Sequence, residues 1–301
     1  WGEIGQKNGL NTTVLDFGTS STIDLAQLES ALKKDKNYKA VLVTHVDTST
    51  SVKNEIAPIR DLLNNLNHEA LLLVDCIASL ACDEFHMDDW GVDVMVAACQ
   101  KGIMVPPGVS FVFFNQKAKD RQKSLKMVAS YWDWDPRINP DYYYKYFGGT
   151  APTHHLYGLD VALDMLLKES IEAVWKRHEV LAKAIWAAID EWAKGGELKA
   201  NIQDKNLRSN AVTSLRVNKP NGTLLRKWLQ ENTGLTIGIG LGMATPKDPN
   251  GDGFFRLGHM GHVNAQMIMA LIATLETAMI AVGVPHGNNA INKAASVIAE
   301  L

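Results

Sequence analysis

The chain has 301 residues, 46% hydrophobic and 21% charged, which is an ordinary globular composition and long enough for about two domains. Its 30 Lys and Arg against 33 Asp and Glu leave a formal net charge of -3, with the basic residues scattered, which argues against nucleic acid or an acidic membrane as a partner. Three cysteines, Cys76, Cys82 and Cys99, lie in or beside apolar runs; an odd number without an extracellular cue argues against a disulfide framework and predicts a reducing, cytoplasmic setting.

The chain begins WGEIG, with no initiator methionine or signal peptide, and Trp1 starts in what reads as the middle of a domain, so the expectation is an N-terminally truncated chain. Val14 to Asp16 predicts a short strand. Asp24 then caps a helix through Leu25, Leu28, Ala31 and Leu32. Ala40 to Val46 reads as a buried strand, followed by a helix over Asn54 to Leu66 that Pro58 can enter near its first turn. Two further buried strands follow, Ala70 to Val74 and Val92 to Ala97. Strand, helix, strand with continuous apolar runs is the pattern of a parallel sheet with helices on both faces. Such sheets bind ligands beyond the carboxyl ends of their strands, where Thr48, Asp75 and Lys101 fall.

A fourth strand, Val109 to Phe114, precedes an irregular aromatic stretch, Tyr131 to Phe147, that reads as a loop. Two long helices follow, His154 to Lys168 and Ile171 to Lys194. The domain boundary is expected at their join near Glu169 and Ser170, which gives a large domain over 1–169 and a smaller C-terminal α/β domain over 170–301. In the second domain the expected elements are strand Ala211 to Val217, helix Thr223 to Glu231, a strand or loop over Thr236 to Gly242, strand Phe254 to Leu257, helix Asn264 to Val282 and a last helix from Asn289. The apolar run Gln266 to Val284 is broken by Thr274, Glu276 and Thr277 and reads as a core helix rather than a membrane span.

Lys101, after an apolar strand and before a Pro-Pro-Gly stop, is the residue that most invites chemistry, because lysine is seldom buried without a partner or a task. A lysine that forms an imine needs a desolvated setting, and pyridoxal phosphate enzymes set an acid against the ring nitrogen; Asp75, ending its own buried strand, is a candidate for that acid. The hydroxyls of Thr44 to Ser51 can bond a cofactor or simply start a loop. Trp1 can stack on a pyridine ring or serve as an ordinary packed aromatic. Arg256, on an apolar strand, fits a substrate carboxylate or a structural ion pair equally well by spacing.

Other signals are weaker. Asp248, Asn250, Asp252 and Gly253 imitate the start of a calcium loop, but the position needing a bidentate glutamate is His259, so a turn is expected. Gly238, Gly240 and Gly242 lack dinucleotide-loop spacing. His259 and His262 have no carboxylate or cysteine beside them, which predicts satisfied histidines and no metal.

The segments WGE, THVDTSTSV, LLLVDCIASL, AACQKGIMVPPG, FGGTAPTHHLYGL and FRLGHMGH, in this order over nearly the whole chain, resemble the class V aminotransferases of fold type I, in the alanine–glyoxylate and serine–glyoxylate aminotransferase group. The resemblance implies pyridoxal 5'-phosphate as cofactor, with Lys101 as the imine-forming lysine, Asp75 on the pyridine nitrogen and Gln100 near the phosphate. It implies Ile77 and Trp1 on the two ring faces, Thr48 on the phenolic oxygen and Arg256 on the substrate carboxylate. Thr150 would reach the phosphate in a neighbouring subunit, so a homodimer is implied. The sequence departs from the family in having Phe147 where a tyrosine precedes the threonine, and in lacking the glycine-rich phosphate-binding segment ahead of Trp1. The expected activity is amino transfer from a small amino acid to glyoxylate or pyruvate. A pyridoxamine–pyruvate transaminase and a catalytically silent relative that keeps only the dimeric fold are the alternatives. Cysteine desulfurases fit poorly because Gln100 stands where they carry histidine.

Overall fold

The computed structural model of the protein describes residues 1–301. The continuous apolar runs form the first sheet, in which β1 (Ala40–Thr44), β2 (Leu71–Asp75) and β3 (Val94–Ala98) run parallel and β4 (Ser110–Phe114) returns antiparallel, in the order β1-β2-β3-β4. Parallel neighbours need a crossover, and α3 (Ala57–Asn65) supplies it between β1 and β2. Together with α2 (Leu25–Lys34) it covers one face, where Leu28, Leu32, Ile59 and Leu63 meet Val43, Leu72, Val74 and Met95. Helix α2 starts where the sequence predicts, with the Asp24 carboxylate accepting from the N–H groups of Ala26 and Gln27. The other face receives Ala118 of α4 (Gln116–Lys123) and Trp134, whose ring stacks 4.4 Å from that of Phe114; Leu42 and Val112 remain exposed there.

The second sheet is antiparallel, in the order β5-β6-β8-β7, from β5 (Lys199–Ala200), β6 (Val212–Arg216), β7 (Gly238–Ile239) and β8 (Phe254–Gly258). Its core of 25 buried residues joins the strands to α7 (Ile171–Trp192), α8 (Asn221–Thr233), α9 (Ala265–Val282) and α10 (Ala290–Ile298). Fully buried Leu181, Ile185, Leu229 and Phe255 each contribute roughly 2 kcal/mol of transfer free energy. By length and composition α9, with a mean hydropathy of 1.8, could cross a membrane; here it buries Ile268, Ile272, Leu275, Ala278 and Met279 in this core. Helix α6 (Thr153–Glu169) meets α7 at Ser170, whose hydroxyl caps α7 by accepting from the N–H of Ala173.

The two sheets are tied by buried polar contacts. The Asp83 carboxylate accepts from the Ser209 hydroxyl at 2.7 Å and the Asn210 N–H at 2.9 Å, and the Asn201 side-chain amide donates to the carbonyls of Thr19 and Thr50.

The structure departs from expectation in several places. Val14 to Asp16 is extended but pairs with no strand, and Val14 stays exposed. Tyr131 to Phe147 is not a structureless loop: it lies in three short helical pieces, Ser130–Trp132, α5 (Asp135–Ile138) and Tyr143–Phe147. The helices α1 (Gly2–Lys7) and α4 give no apolar periodicity to read, since α1 buries no residue and α4 buries only Ala118.

Candidate active site

Register brings the carboxyl ends of the parallel strands level, with Thr44 opposite Asp75 and Asp75 opposite Val96. Beyond this edge lie the loop after β1 with Thr48, the turn Asp75 to Ile77 and the turn that carries Lys101. This is the edge at which open α/β sheets bind ligands.

Asp75 is half-buried. Its Oδ1 accepts from the Ile77 N–H at 2.9 Å, while Oδ2 has no partner in the chain. Burial pushes its carboxyl above the ordinary range, opposed by the Ile77 N–H. Trp1, just ahead of α1, is 43% exposed. An acid with one open oxygen, in a setting that penalises its lone charge, is suited to a cationic N–H donor.

Lys101 is half-buried, and its amine makes no hydrogen bond or ion pair within the chain. Its turn is closed by the Met104 N–H on the Lys101 carbonyl at 2.9 Å and the Val105 N–H on the Cys99 carbonyl at 3.0 Å. Gly102 lets the turn press on the segment after β2: a Cβ there would sit 2.1 Å from the Leu80 carbonyl oxygen and 2.9 Å from the Cys82 sulfur. That thiol, buried, is pushed up to about 12 and is inert, and all three cysteines are buried and free.

Arg256 comes from β8, in the second sheet. Its Nε donates to the Ile239 carbonyl at 2.8 Å and its Nη1 to the Thr48 carbonyl at 3.1 Å, which links the second sheet to the loop after β1. The structural ion pair that spacing equally allowed is not formed, and Nη2 is left without a partner. Burial pushes the guanidinium below its ordinary value, with the Asp47 carboxylate opposing. Ile77 is half-buried next to Asp75, while Gln100, next to Lys101, is exposed. Thr150 is also exposed, and no hydrogen bond ties it to this edge; Tyr146 and Phe147 lie in the short helical turn just before it.

Buried polar residues of the second sheet and α7 form a further network, and most of them carry no signal in the sequence. Trp186 Nε1 donates to the Thr213 hydroxyl at 3.1 Å, Thr213 pairs with His259 Nε2 at 2.9 Å, and His259 Nδ1 donates to the Asn210 carbonyl at 2.8 Å. His259 is thus satisfied, as expected, and burial lowers it to about 4, keeping it neutral. Asp248 likewise caps a turn by accepting from the N–H groups of Asp252 and Gly253. Helix α7 contributes two consecutive residues, Arg177 and His178, that bond backbone groups of the loop after β8. Only an adjacent Arg-His pair on an amphipathic helix was visible in the sequence.

A partnerless lysine and a half-open acid at the carboxyl edge of a mainly parallel sheet define an α/β protein of fold type I, the fold of pyridoxal phosphate-dependent transferases. The solved structure of pyridoxamine–pyruvate aminotransferase from Mesorhizobium loti matches with a TM-score of 0.79 and 26% identity, over 93% of this chain and 69% of that one. The chain belongs to the family described as Aminotransferase class-V, which matches residues 1–264. It is 32% identical over 293 residues to the serine–glyoxylate aminotransferase of Arabidopsis thaliana, covering 95% of this chain and 69% of that protein. It is also 32% identical over 290 residues to the L-aspartate–glyoxylate aminotransferase of Paracoccus denitrificans, covering 95% of this chain and 70% of that protein. The family implies pyridoxal phosphate. The residues present fit it, since the Lys101 amine, Asp75 Oδ2 and Arg256 Nη2 are all left open where the cofactor and a substrate carboxylate would use them.

Proposed function

We propose that the chain is a pyridoxal phosphate-dependent aminotransferase that moves the amino group of a small amino acid, of the alanine, serine or aspartate type, to glyoxylate or pyruvate. The observation that carries this is the pairing of an unpartnered lysine with a half-open, half-buried carboxylate on one sheet edge, in a chain of the class V family. When bound, the cofactor supplies an aldehyde that condenses with primary amines and a ring that accepts the electron pair released from the substrate Cα.

The chain's own residues do the rest. The Lys101 Nζ would hold the cofactor and, when its amine is free, would carry the substrate Cα proton as general base. Asp75 Oδ2 keeps the ring nitrogen protonated, and burial makes that charge partner more valuable. Arg256 binds the substrate carboxylate through its open Nη2, which fixes the orientation of the bond to be broken. Thr48 would bond the phenolic oxygen, Gln100 would serve the phosphate, and Trp1 and Ile77 would pack on the ring faces. Thr150 serves the site of a second copy, so the working form is a homodimer in the cytoplasm. The exposed Tyr142, Tyr143, Tyr144 and Tyr146 just ahead of Thr150 support a covered surface there.

The test is the visible spectrum of the chain and of Lys101→Ala after addition of pyridoxal phosphate, with borohydride trapping read by mass spectrometry. The parent shows a visible band and a trapped adduct on Lys101, and the variant shows neither. Identical spectra overturn the reading. The likeness to the Mesorhizobium loti enzyme favours a second reading, with pyridoxamine as amino donor to pyruvate. Turnover of free pyridoxamine with pyruvate, in place of amino acids with glyoxylate, would establish it.

A further inference from the structure

We propose that His178, with Arg177 beside it, is a positioning residue for Lys101 that acts through the backbone of Gly261. The inference rests on Lys101 being the cofactor-binding lysine.

Both polar groups of the Gly261 residue are held by α7. The His178 Nδ1 donates to the Val174 carbonyl at 2.8 Å, which fixes the tautomer and leaves the Nε2 lone pair to accept the Gly261 N–H at 3.1 Å. Arg177 Nη1 donates to the carbonyls of Gly261 at 3.0 Å and Val263 at 2.9 Å, while its Nε and Nη2 are fixed on Glu169 at 2.6 and 3.0 Å. The guanidinium is therefore braced by a carboxylate at the end of α6 and aimed at the loop.

Gly261 in turn lies on the lysine turn. Its φ of +87° belongs to the left-handed region, and a Cβ there would stand 2.7 Å from Met104 Cγ and 3.7 Å from the Lys101 carbonyl oxygen. Met104 itself has φ +67° and closes the turn with its N–H on the Lys101 carbonyl. The Leu80 to Cys82 segment also presses on the turn, at Gly102. The Lys101 turn is thus packed against two segments, one of which is held by α7.

The same loop begins at the end of β8, the strand that carries Arg256. Holding it fixes the carboxylate clamp and the amine relative to each other, the kind of alignment on which effective molarity depends. His178 is fully buried and touches neither group, so its effect on both passes through Gly261.

The experiment compares the pyridoxal phosphate-loaded chain with His178→Leu, His178→Gln and Arg177→Met. Two quantities are read, the pH midpoint at which the visible band titrates and the yield of borohydride-trapped Lys101, with far-UV circular dichroism to establish folding at the assay temperature. In His178→Leu the acceptor is gone, so the midpoint shifts by about 0.5 pH unit or more and the trapped yield falls about threefold. His178→Gln, whose Oε1 can replace Nε2 as acceptor, restores both. Arg177→Met shifts the midpoint in the same direction and decides the matter if His178→Leu does not fold. A trapped adduct in the parent with an unmoved midpoint in folded His178→Leu, or in Arg177→Met, overturns the inference alone. No adduct on Lys101 in the parent overturns the functional reading and the inference with it.

Discussion

Arg256 shows how little space a working side chain can be given. A Cβ on Gly238 would lie 3.2 Å from Arg256 Cβ and 3.4 Å from its Nε and Nη2, so in Gly238→Ala the Arg256 side chain must give by a few tenths of an ångström, which loosens its hold on the Ile239 and Thr48 carbonyls. The expected result is a rise of about tenfold in KM for 2-oxo acid acceptors with kcat within about twofold, since the carboxylate contact is made in ground and transition state alike. Steady-state kinetics with glyoxylate check this, and an unchanged KM removes Gly238 from the clamp. Residues of this kind divide in how legible they were. Lys101 and Asp75 could be read because an ionisable side chain ending a buried strand is costly and has to be explained. Arg256 could be picked out, but its partners could not, since both are backbone carbonyls and carry no residue code. Arg177 and His178 were invisible for the same reason: they act on the peptide of Gly261, and the contact depends on folding α7 against a loop distant in sequence.

Strands β2 and β3 were legible as elements because burial on both sides leaves runs without alternation. LLLVD and VMVAA announce themselves, and their order in the sheet follows the chain. Elements that bury almost nothing were not legible, as α4 illustrates with Ala118 alone. Val14 to Asp16 failed in the opposite way, since its apolar residues suit a strand but nothing pairs with them. The faces of the first sheet differ in a way that can be measured. Leu72, on β2, is fully buried under α2 and α3, whereas Leu42, on β1, points to the other face and is 49% exposed. Leu72→Ala is expected to lower unfolding free energy by about 3 kcal/mol. Leu42→Ala should change it by no more than about 0.5 kcal/mol. Denaturant midpoints at constant slope test the contrast, and equal losses would mean that the stabilising core does not lie on the α2 and α3 face.

At the scale of the whole molecule, the packing around the second sheet depends on buried histidines staying neutral. His178 and His259 are fully buried, and burial lowers each from 6.5 to about 4. Both are bases with depressed folded values, so the unfolded chain binds more protons than the native one between pH 6.5 and about 4. Their contribution is fully present above pH 6.5 and is lost as pH falls through that window, by about 3 kcal/mol for each histidine. Asp83 works in the other direction, because burial raises its carboxyl and its ionisation weakens the fold as pH rises. A total stability curve therefore mixes the two effects, and a comparison separates them. His178→Gln keeps an acceptor for the Gly261 N–H but no longer titrates, so Asp83 cancels between parent and variant. Between pH 7 and pH 4 the variant should lose about 3 kcal/mol less than the parent in denaturant unfolding. Parallel losses in the two proteins would mean that His178 does not titrate with folding. The loop it holds between Arg256 and Lys101 would then lack the pH sensitivity that a buried, neutral histidine confers on it.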